Sequence, residues 1–301
     1  MKIKDLNTNF SFTEGDNSLQ FNMGEGNIPV VEIKNEFASA VISLQGAHIL
    51  SWKPVNQDDV IWLSTDAKFA MGKSVRGGIP ICWPWFGPHE SNSSFPAHGF
   101  ARTVLWQVSD ASVLPSGATQ IIFKLDTREL EENLQQMWPY ATVAEYRVTI
   151  DKTLTMELIT HNHSEKSITI GQALHTYFNI DDIGNTSVQG LDGKTYLDKT
   201  DNFNSKVQAG PVLISSEVDR VYLNTADDVT IDDGKRKIVI KKENSESTVV
   251  WNPWIEVAAK MGDLGEDGYR KMLCVESANA ADDVVTIKAG ESYALLVKYS
   301  V

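Results

Sequence analysis

The sequence predicts an all-β protein, a large antiparallel β-sandwich with a few short helices. Hydrophobic and polar residues alternate with period two along much of the chain, which is typical of strands with one buried face. Helical periodicity is confined to two stretches of about two turns each, Glu129–Met137 and Trp254–Met261. Because the strands do not alternate with long helices, a parallel α/β sheet is not expected.

The predicted strands follow one another at short intervals. The alternation places them at Pro29–Ile33, Ala38–Leu44, Ile49–Trp52, Val60–Leu63, Val104–Val108, Gln120–Leu125, Thr142–Ile150, Leu154–Thr160, Ser167–Gln172, Arg236–Lys241, Thr248–Trp251, Met272–Glu276, Val284–Ile287 and Tyr293–Tyr299. Turn residues at Asp233-Gly234, at Ala289-Gly290 and near Asp192-Gly193 favour hairpins. Since no repeat of fixed period and no linker-like tract interrupts the chain, we expect residues 1–301 to form one domain.

The composition excludes several classes of protein. With 42% hydrophobic and 22% charged residues the chain is typical of a globular protein, and its formal net charge of −13 argues against nucleic acid or an anionic membrane as partner. Cys82 and Cys274 are too few for a disulfide framework, and no metal-ligand motif is present. No signal peptide or membrane-spanning run is recognisable. We therefore expect a soluble, cytoplasmic monomer that uses neither metal nor cofactor.

The most unusual segment runs from Val75 to Arg102 and reads VRGGIPICWPWFGPHESNSSFPAHGFAR. Its four prolines and its glycines forbid a regular element, so a structured loop system is expected. Its five aromatic residues argue against disorder, because such rings bury large apolar areas. From Lys73 to Arg102 three cations stand against Glu90 alone, which indicates a local anion site on an acidic protein.

Two constellations in this segment could carry chemistry. In Arg76-Gly77-Gly78 the glycines let the backbone approach a ligand, and the guanidinium can bind phosphate bidentately. In the run from His98 to Arg102 a histidine and an arginine share one short segment. The alternative interpretations are a turn with a surface arginine and a structural, hydrogen-bonding histidine.

Two further candidates lie on later strands. His175 stands among apolar residues and, taken alone, reads as a core histidine with its hydrogen bonds satisfied. Glu276 interrupts an apolar strand, so it is either a paired structural acid or a general base, because burying an unpaired carboxylate is expensive. Trp251 and Trp254 are interpreted as core residues, with stacking on a sugar as the alternative.

Taken together and in order, these segments resemble the D-hexose-6-phosphate mutarotases, or glucose-6-phosphate 1-epimerases, of the aldose 1-epimerase superfamily. The matching pieces span residues 44 to 278 and read LQGAHILSWKP, VRGGIPICWPWFGP, PAHGFAR, ALHTYFN, EVDRVYLN, VVWNPW and CVESA. The resemblance implies a galactose mutarotase-like β-sandwich that interconverts the α and β anomers of hexose 6-phosphates.

The resemblance also implies roles for individual residues. His175 and Glu276 match the family's catalytic pair, Arg76 and Arg102 its phosphate-side arginines, His98 its second active-site histidine, and Asp219 the acid that binds sugar hydroxyls. Opening a hemiacetal ring needs one base and one acid and no metal. The hypothesis is that Glu276 takes the proton from O1, protonated His175 donates one to the ring oxygen, and His98 polarises the oxygen that develops charge.

Three other functions compete with this prediction. A non-catalytic sugar-phosphate-binding or regulatory module would need the arginines but not both His175 and Glu276. A free-aldose 1-epimerase would have no use for two arginines, which suit a phosphate dianion. A glycoside hydrolase would need two carboxylates that flank the glycosidic bond, and only Glu276 is a persuasive candidate.

Overall fold

The computed structural model describes residues 2–301, and it confirms the all-β fold class. The strands are, in chain order, β1 Phe12–Glu14, β2 Asn17–Met23, β3 Pro29–Lys34, β4 Ala38–Ser43, β5 His48–Pro54, β6 Ile81–Cys82, β7 Gln107–Val113, β8 Thr119–Asp126, β9 Thr142–Ile150, β10 Leu154–Asn162, β11 Ile168–Ile170, β12 Gln172–Leu174, β13 Tyr177–Asn179, β14 Ser187–Gln189, β15 Thr195–Asp198, β16 Asn204–Val207, β17 Val212–Leu213, β18 Val218–Leu223, β19 Val229–Asp232, β20 Lys237–Glu243, β21 Ser247–Asn252, β22 Met272–Asn279, β23 Val285–Ile287 and β24 Ser292–Ser300.

The helices are short. The α-helices are α1 Ile3–Phe10, α2 Glu132–Met137, α3 Trp254–Ala258 and α4 Gly268–Lys271, and single 3-10 turns include Ala101–Thr103, Thr127–Glu129 and Lys199–Asp201. None of the helices in residues 2–301 has the length and apolar character needed to span a membrane.

Two large antiparallel sheets form the sandwich. One has nine strands in the order β17-β14-β19-β20-β24-β10-β9-β8-β7, and the other has the order β16-β15-β18-β21-β22-β12-β6 with β13 also paired to β22. A five-stranded meander, β1 to β5, and the small pair of β11 with β23 complete the fold.

Side chains of the two large sheets meet in the main core. The Thr176 hydroxyl, which lies between β12 and β13, hydrogen bonds the Tyr299 hydroxyl of β24 at 2.6 Å. The ring of Phe178 packs edge-on against Tyr299, with centroids 4.9 Å apart. The buried Lys242 of β20 links the sheets too, since its ammonium donates to Thr248 Oγ1 at 2.8 Å on β21. These contacts fix the separation and register of the two layers.

Alternation along β22 decides what faces the core. Leu273 and Val275 lie in the main core cluster, whereas Met272, Cys274 and Ala278 belong to smaller clusters on the opposite face. Because successive side chains of a strand point to opposite faces, Glu276 lies with the second group. The outer face of this sheet therefore carries the candidate carboxylate.

Most predicted strands are confirmed, with ends that differ by at most three residues, but three predictions are wrong. Val60–Leu63 is buried except for the half-buried Leu63, yet it forms only isolated bridges, because the run has no continuous partner strand. The strand predicted at Val104–Val108 begins only at Gln107, after the 3-10 turn Ala101–Thr103, and runs to Val113. Ser167–Gln172 splits at Gly171 into β11 and β12, which belong to different sheets.

The predicted turns and helices are confirmed in part. Asp233-Gly234 closes the hairpin of β19 with β20, whereas Ala289-Gly290 and Asp192-Gly193 connect strands that do not pair with each other. The helix predicted at Glu129–Met137 divides into a 3-10 turn and α2, and the one predicted at Trp254–Met261 ends at Ala258. The strands from β14 to β19 were not predicted; apart from β18 they are only two to four residues long, which is too short for a period-two pattern to be recognised.

Candidate active site

The register of the sheet places the candidate residues side by side. Glu276 pairs with Val249 on β21, and His175 follows β12 directly, where Leu174 pairs with Ser277. One row further along the strands, Asp219 pairs with Trp251, and Trp251 with Cys274. Since side chains in register lie about 5 Å apart, the outer face gathers an imidazole and two carboxylates from distant parts of the chain.

His175 and Glu276 are in contact at the floor of a cleft. His175 Nε2 lies 3.4 Å from Glu276 Oε1, and the side chains are 13% and 2% exposed. The backbone N–H of His175 donates to the Pro80 carbonyl, which fixes the backbone of the residue that carries the imidazole. Within residues 2–301, Nδ1 of His175 and Oε2 of Glu276 are buried without a hydrogen-bond partner. Such unpaired polar atoms are costly, so a ligand is the expected partner.

Burial favours the neutral form of both groups. Burial raises the pKa of Glu276 well above its ordinary value, although Lys199 opposes this shift. Burial also lowers the pKa of His175 well below its ordinary value, and His98 and Arg102 lower it further. Both shifts favour a neutral Glu276 carboxyl group beside a neutral His175 imidazole.

His98 is held as a neutral hydrogen-bond donor. Its Nδ1 accepts the backbone N–H of Gly87 at 3.2 Å, so its remaining proton is on Nε2. Burial, together with Arg102 and Lys199, lowers the pKa of His98 to about 3. The His98 and His175 rings lie 5.9 Å apart. His98 can therefore donate a hydrogen bond without changing its charge.

The turn that presents His98 depends on the next residue. His98 and Gly99 both have positive φ, at 67° and 70°. A Cβ on Gly99 would lie 2.0 Å from the carbonyl oxygen of Trp83, so only glycine fits under that backbone. The Gly99 of the PAHGFAR segment is thus required by close packing.

Arg76 is partly committed to protein partners. Its Nε donates to Asp263 Oδ1 at 3.1 Å and its Nη1 donates to the Tyr177 hydroxyl at 3.1 Å. These contacts hold the guanidinium beside the cleft, which both Arg76 and Tyr177 line. The Tyr177 ring also stacks on His175, with centroids 5.0 Å apart and planes inclined by 10°. Tyr177 therefore connects the position of Arg76 to that of His175.

Arg102 lies on the 3-10 turn after His98, and its Nη2 donates to the Ala97 carbonyl at 3.0 Å. Asp219 of β18 forms an ion pair with Lys199, with Nζ 2.7 Å from Oδ2. Oδ1 of Asp219 is buried without a partner among the described residues. The lining of the cleft therefore combines three cations, Arg76, Arg102 and Lys199, with unpaired carboxylate oxygens of Asp219 and Glu276.

All six residues predicted from the sequence line this one cleft, whose volume is about 250 Å³. They are joined there by residues that the sequence analysis did not single out, namely Phe86, Tyr177, Lys199 and Val249, and by Trp251, which it had interpreted as core. Two larger depressions, of about 440 and 420 Å³, contain neither histidine nor an unpaired buried carboxylate. The roles of the six residues stay predictions, but their convergence makes this cleft the candidate active site.

Three neighbouring side chains, two of which line the cleft, invite comparison with a metal site. His175, Cys274 and Glu276 place one potential donor atom each within 4.8 Å of one another. A dication there would face Arg76, Arg102 and Lys199 in the same cleft. Burial also raises the pKa of the Cys274 thiol well above its ordinary value, so the thiolate that a metal prefers is disfavoured. The donor set fits proton transfer better than metal binding.

The β-sandwich and the cleft on the outer face of one of its sheets are the features expected from the resemblance described above. Comparison with known proteins assigns the chain to the same family. Residues 29–300 match the family model described as aldose 1-epimerase. The chain belongs to the aldose 1-epimerase family.

The names of similar curated proteins are more specific than the family description, because they include a substrate. The chain is 36% identical over 260 residues to an Escherichia coli protein named "Putative glucose-6-phosphate 1-epimerase", covering 85% of this chain and 84% of that protein. It is 37% identical over 266 residues to a protein of the same name from Cenchrus ciliaris, covering 84% and 78%.

Solved structures agree with the fold. A "putative mutarotase (YeaD)" from Salmonella typhimurium superposes with a TM-score of 0.86 at 30% identity, covering 99% of this chain and 98% of that one. A galactose mutarotase-like protein from Clostridium acetobutylicum, at 16% identity and a TM-score of 0.75, shares the fold over 95% and 98% of the chains.

Proposed function

We propose that this protein interconverts the α and β anomers of D-glucose 6-phosphate and related hexose 6-phosphates by acid–base ring opening and reclosure. The observation that carries the proposal is the contact of His175 Nε2 with Glu276 Oε1, at 3.4 Å, in a cleft that Arg76 and Arg102 also line. The names of the similar curated proteins support the same substrate class.

The reaction needs two proton transfers and no other reactant. A base removes the O1 proton, the C1–O5 bond breaks with its electron pair moving to O5, and an acid protonates O5. The resulting aldehyde rotates about C1–C2 and closes on its other face, with the acid and base exchanging roles. We assign Glu276 as the base and His175 as the acid in the ring-opening direction. Each well-placed group contributes about 10² to 10⁴ in rate.

The reactive state, a Glu276 carboxylate beside a protonated His175, can form by moving one proton. It contains the same number of protons as the neutral pair that burial favours, so proton transfer across the 3.4 Å contact interconverts the two states. Arg102 and Arg76 both lower the pKa of His175. A phosphate dianion bound to these arginines would neutralise that effect and favour the imidazolium. Substrate binding thus prepares the acid.

The remaining polar residues serve the sugar. The Nε2–H of His98 is oriented as a neutral donor, which suits an oxygen on which negative charge develops. The unpaired Oδ1 of Asp219 suits a sugar hydroxyl. Trp251, whose indole lies 6.1 Å from the His175 ring, offers an apolar surface for a sugar face.

The proposed substrate also supports two further proposals. A phosphorylated sugar carries charges that a lipid bilayer disfavours, so the enzyme would act where its substrate is retained, in the cytoplasm. One copy of the chain is sufficient to bring all six assigned residues into one cleft, so we propose a monomer that acts on a small molecule. Sedimentation at several concentrations tests the oligomeric state.

Two-dimensional NMR exchange spectroscopy tests the function directly. Cross-peaks between α- and β-glucose 6-phosphate are recorded with and without the protein, and again with glucose and with galactose. The proposal predicts a large enhancement for the 6-phosphate and a small one for the free sugars. Comparable enhancement of glucose would identify a free-aldose 1-epimerase. Binding without enhancement of any sugar would identify a sugar-phosphate-binding module.

A further inference from the structure

Lys199 is a third cation of the cleft that neither the sequence motifs nor the proposed proton transfers use. It begins the 3-10 turn Lys199–Asp201, directly after β15, and lines the cleft. Its Nζ lies 2.7 Å from Oδ2 of Asp219, and its side chain is 28% exposed. The ion pair is thus formed at the edge of the cleft, with Asp219 more buried than Lys199.

We propose, on the basis of the proposed function, that Lys199 is a positioning residue. Its ammonium holds Asp219 with Oδ1 turned to the sugar, and it supplies the positive charge against which Glu276 ionises during the proton transfer. The two carboxylates lie two strands apart on the same face of the sheet, with β21 between β18 and β22.

The geometry of Asp219 supports the first part. Lys199 occupies one carboxylate oxygen, and the other is buried without a partner in the described residues. A carboxylate held by one oxygen keeps its orientation, and the unpaired lone pairs of the second oxygen can accept a hydrogen bond from a hydroxyl group. Without the lysine the side chain would be free to rotate toward water.

The charges around Glu276 support the second part. Lys199 is the foremost of the charged groups that lower its pKa, followed by Arg102, while Asp219 raises it and burial raises it most. His175 contacts it directly. The other titratable side chains that interact with Glu276 are neutral acids: Cys82, Tyr177, Cys274 and Tyr299. Lys199 therefore offsets the repulsion between Glu276 and Asp219.

The experiment compares single and double variants. Lys199→Met removes the ammonium with little change of volume, Lys199→Arg retains the charge, and Asp219→Asn removes the opposing carboxylate. Lys206→Met is a matched control, because Lys206 pairs with Asp198 and Asp201 of the same turn and does not line the cleft.

The first readout does not depend on activity. The carbon-13 signal of the Glu276 carboxyl group, assigned with Glu276→Gln, is titrated with pH in each variant. We expect Lys199→Met to raise the pKa of Glu276, Asp219→Asn to lower it, and the double variant to lie near the wild type. Lys199→Arg and Lys206→Met should leave it close to the wild type. If Lys199→Met titrates like Lys206→Met, the inference is wrong.

The second readout is the pH dependence of kcat/KM for anomer exchange. Lys199→Met should move the acidic limb to higher pH, with about a tenfold loss on that limb, because a nearby opposite charge shifts an acid's pKa by a unit or more. If the wild type enhances no exchange, the proposed function fails, while the Glu276 titration still decides the role of Lys199. If Lys199→Met lowers kcat/KM equally at every pH and leaves the Glu276 titration unchanged, Lys199 has only a structural role.

Discussion

Replacing Arg76 by methionine should separate phosphate recognition from sugar chemistry. Two of the three guanidinium nitrogens donate within the protein, Nε to Asp263 and Nη1 to Tyr177, which leaves Nη2 for the substrate. A hydrogen bond to a charged group contributes about 1.5–3 kcal/mol. At 1.4 kcal/mol for each factor of ten, a loss of about 2 kcal/mol raises KM for glucose 6-phosphate about 30-fold. Glucose lacks the phosphate, so its exchange should change little.

The assay is NMR exchange at several concentrations of each sugar, which separates KM from kcat. Arg270→Met is the control, because Arg270 forms its ion pair with Asp182 away from the cleft and is half exposed. Arg76→Lys should retain part of the affinity, since it keeps the charge and loses the fork geometry. Equal increases in KM for glucose and for glucose 6-phosphate in Arg76→Met would refute the assignment of Arg76 to the phosphate.

Three more predictions concern the support of the site and the core. Gly99→Ala should lower both the thermal midpoint of unfolding and the activity, because its Cβ would meet the Trp83 carbonyl oxygen at 2.0 Å. The control Gly193→Ala should lower the thermal midpoint less, because nothing lies within 4 Å of its Cβ. Equal midpoints for the two variants would contradict the packing argument. Burial lowers the pKa of Lys242 to about 7 in the folded state, whereas an unfolded lysine has a pKa of about 10.4. Between about pH 7 and about pH 10.4, Lys242 is therefore protonated in the unfolded state and neutral in the folded state. The free energy of unfolding of the wild type should therefore rise with pH relative to Lys242→Met, by at most about 1.4 kcal/mol per pH unit in denaturant titrations, and parallel curves would exclude this. Asp263→Asn should lower KM for glucose 6-phosphate by a few fold, because the partly exposed carboxylate competes with the phosphate for Arg76, and a raised KM would show instead that Asp263 is needed to position it.

The fold class could be predicted because the long strands bury one face. Thr142–Ile150 was placed with both ends correct, since its alternation is uninterrupted. Val60–Leu63 is also rich in β-formers, but whether an apolar run joins a ladder depends on a partner strand that lies elsewhere in the sequence. Burial was therefore predicted better than hydrogen bonding.

The candidate site could be predicted in part. His175 and Glu276 are unusual for apolar strands, and Arg76 and His98 lie in an unusual loop, so each could be singled out. Lys199 could not, because it is one charge in a polar turn and acquires meaning only through its ion pair with Asp219. Asp263 was missed for the same reason, since it lies 187 residues from the arginine that it holds.

The protonation states could not be predicted from the sequence. The reference pKa of histidine, near 6.5, makes a charged His175 plausible, but burial and neighbouring cations lower the pKa of His175 and oppose the charge. Only the folded arrangement shows that His175 Nε2 and Glu276 Oε1 are in contact, which is the basis for proposing that the two residues share a proton. The pair, rather than either residue, is the unit on which the proposed chemistry depends.

The most direct test of that pair is the exchange rate of α- and β-glucose 6-phosphate with the wild type, His175→Ala and Glu276→Gln. Phosphorus NMR titration of each protein measures sugar-phosphate binding in parallel. We predict that both variants bind the sugar phosphate and exchange its anomers at the spontaneous rate. Normal exchange in either variant, with binding intact, would contradict the assignment of the proton transfers to His175 and Glu276.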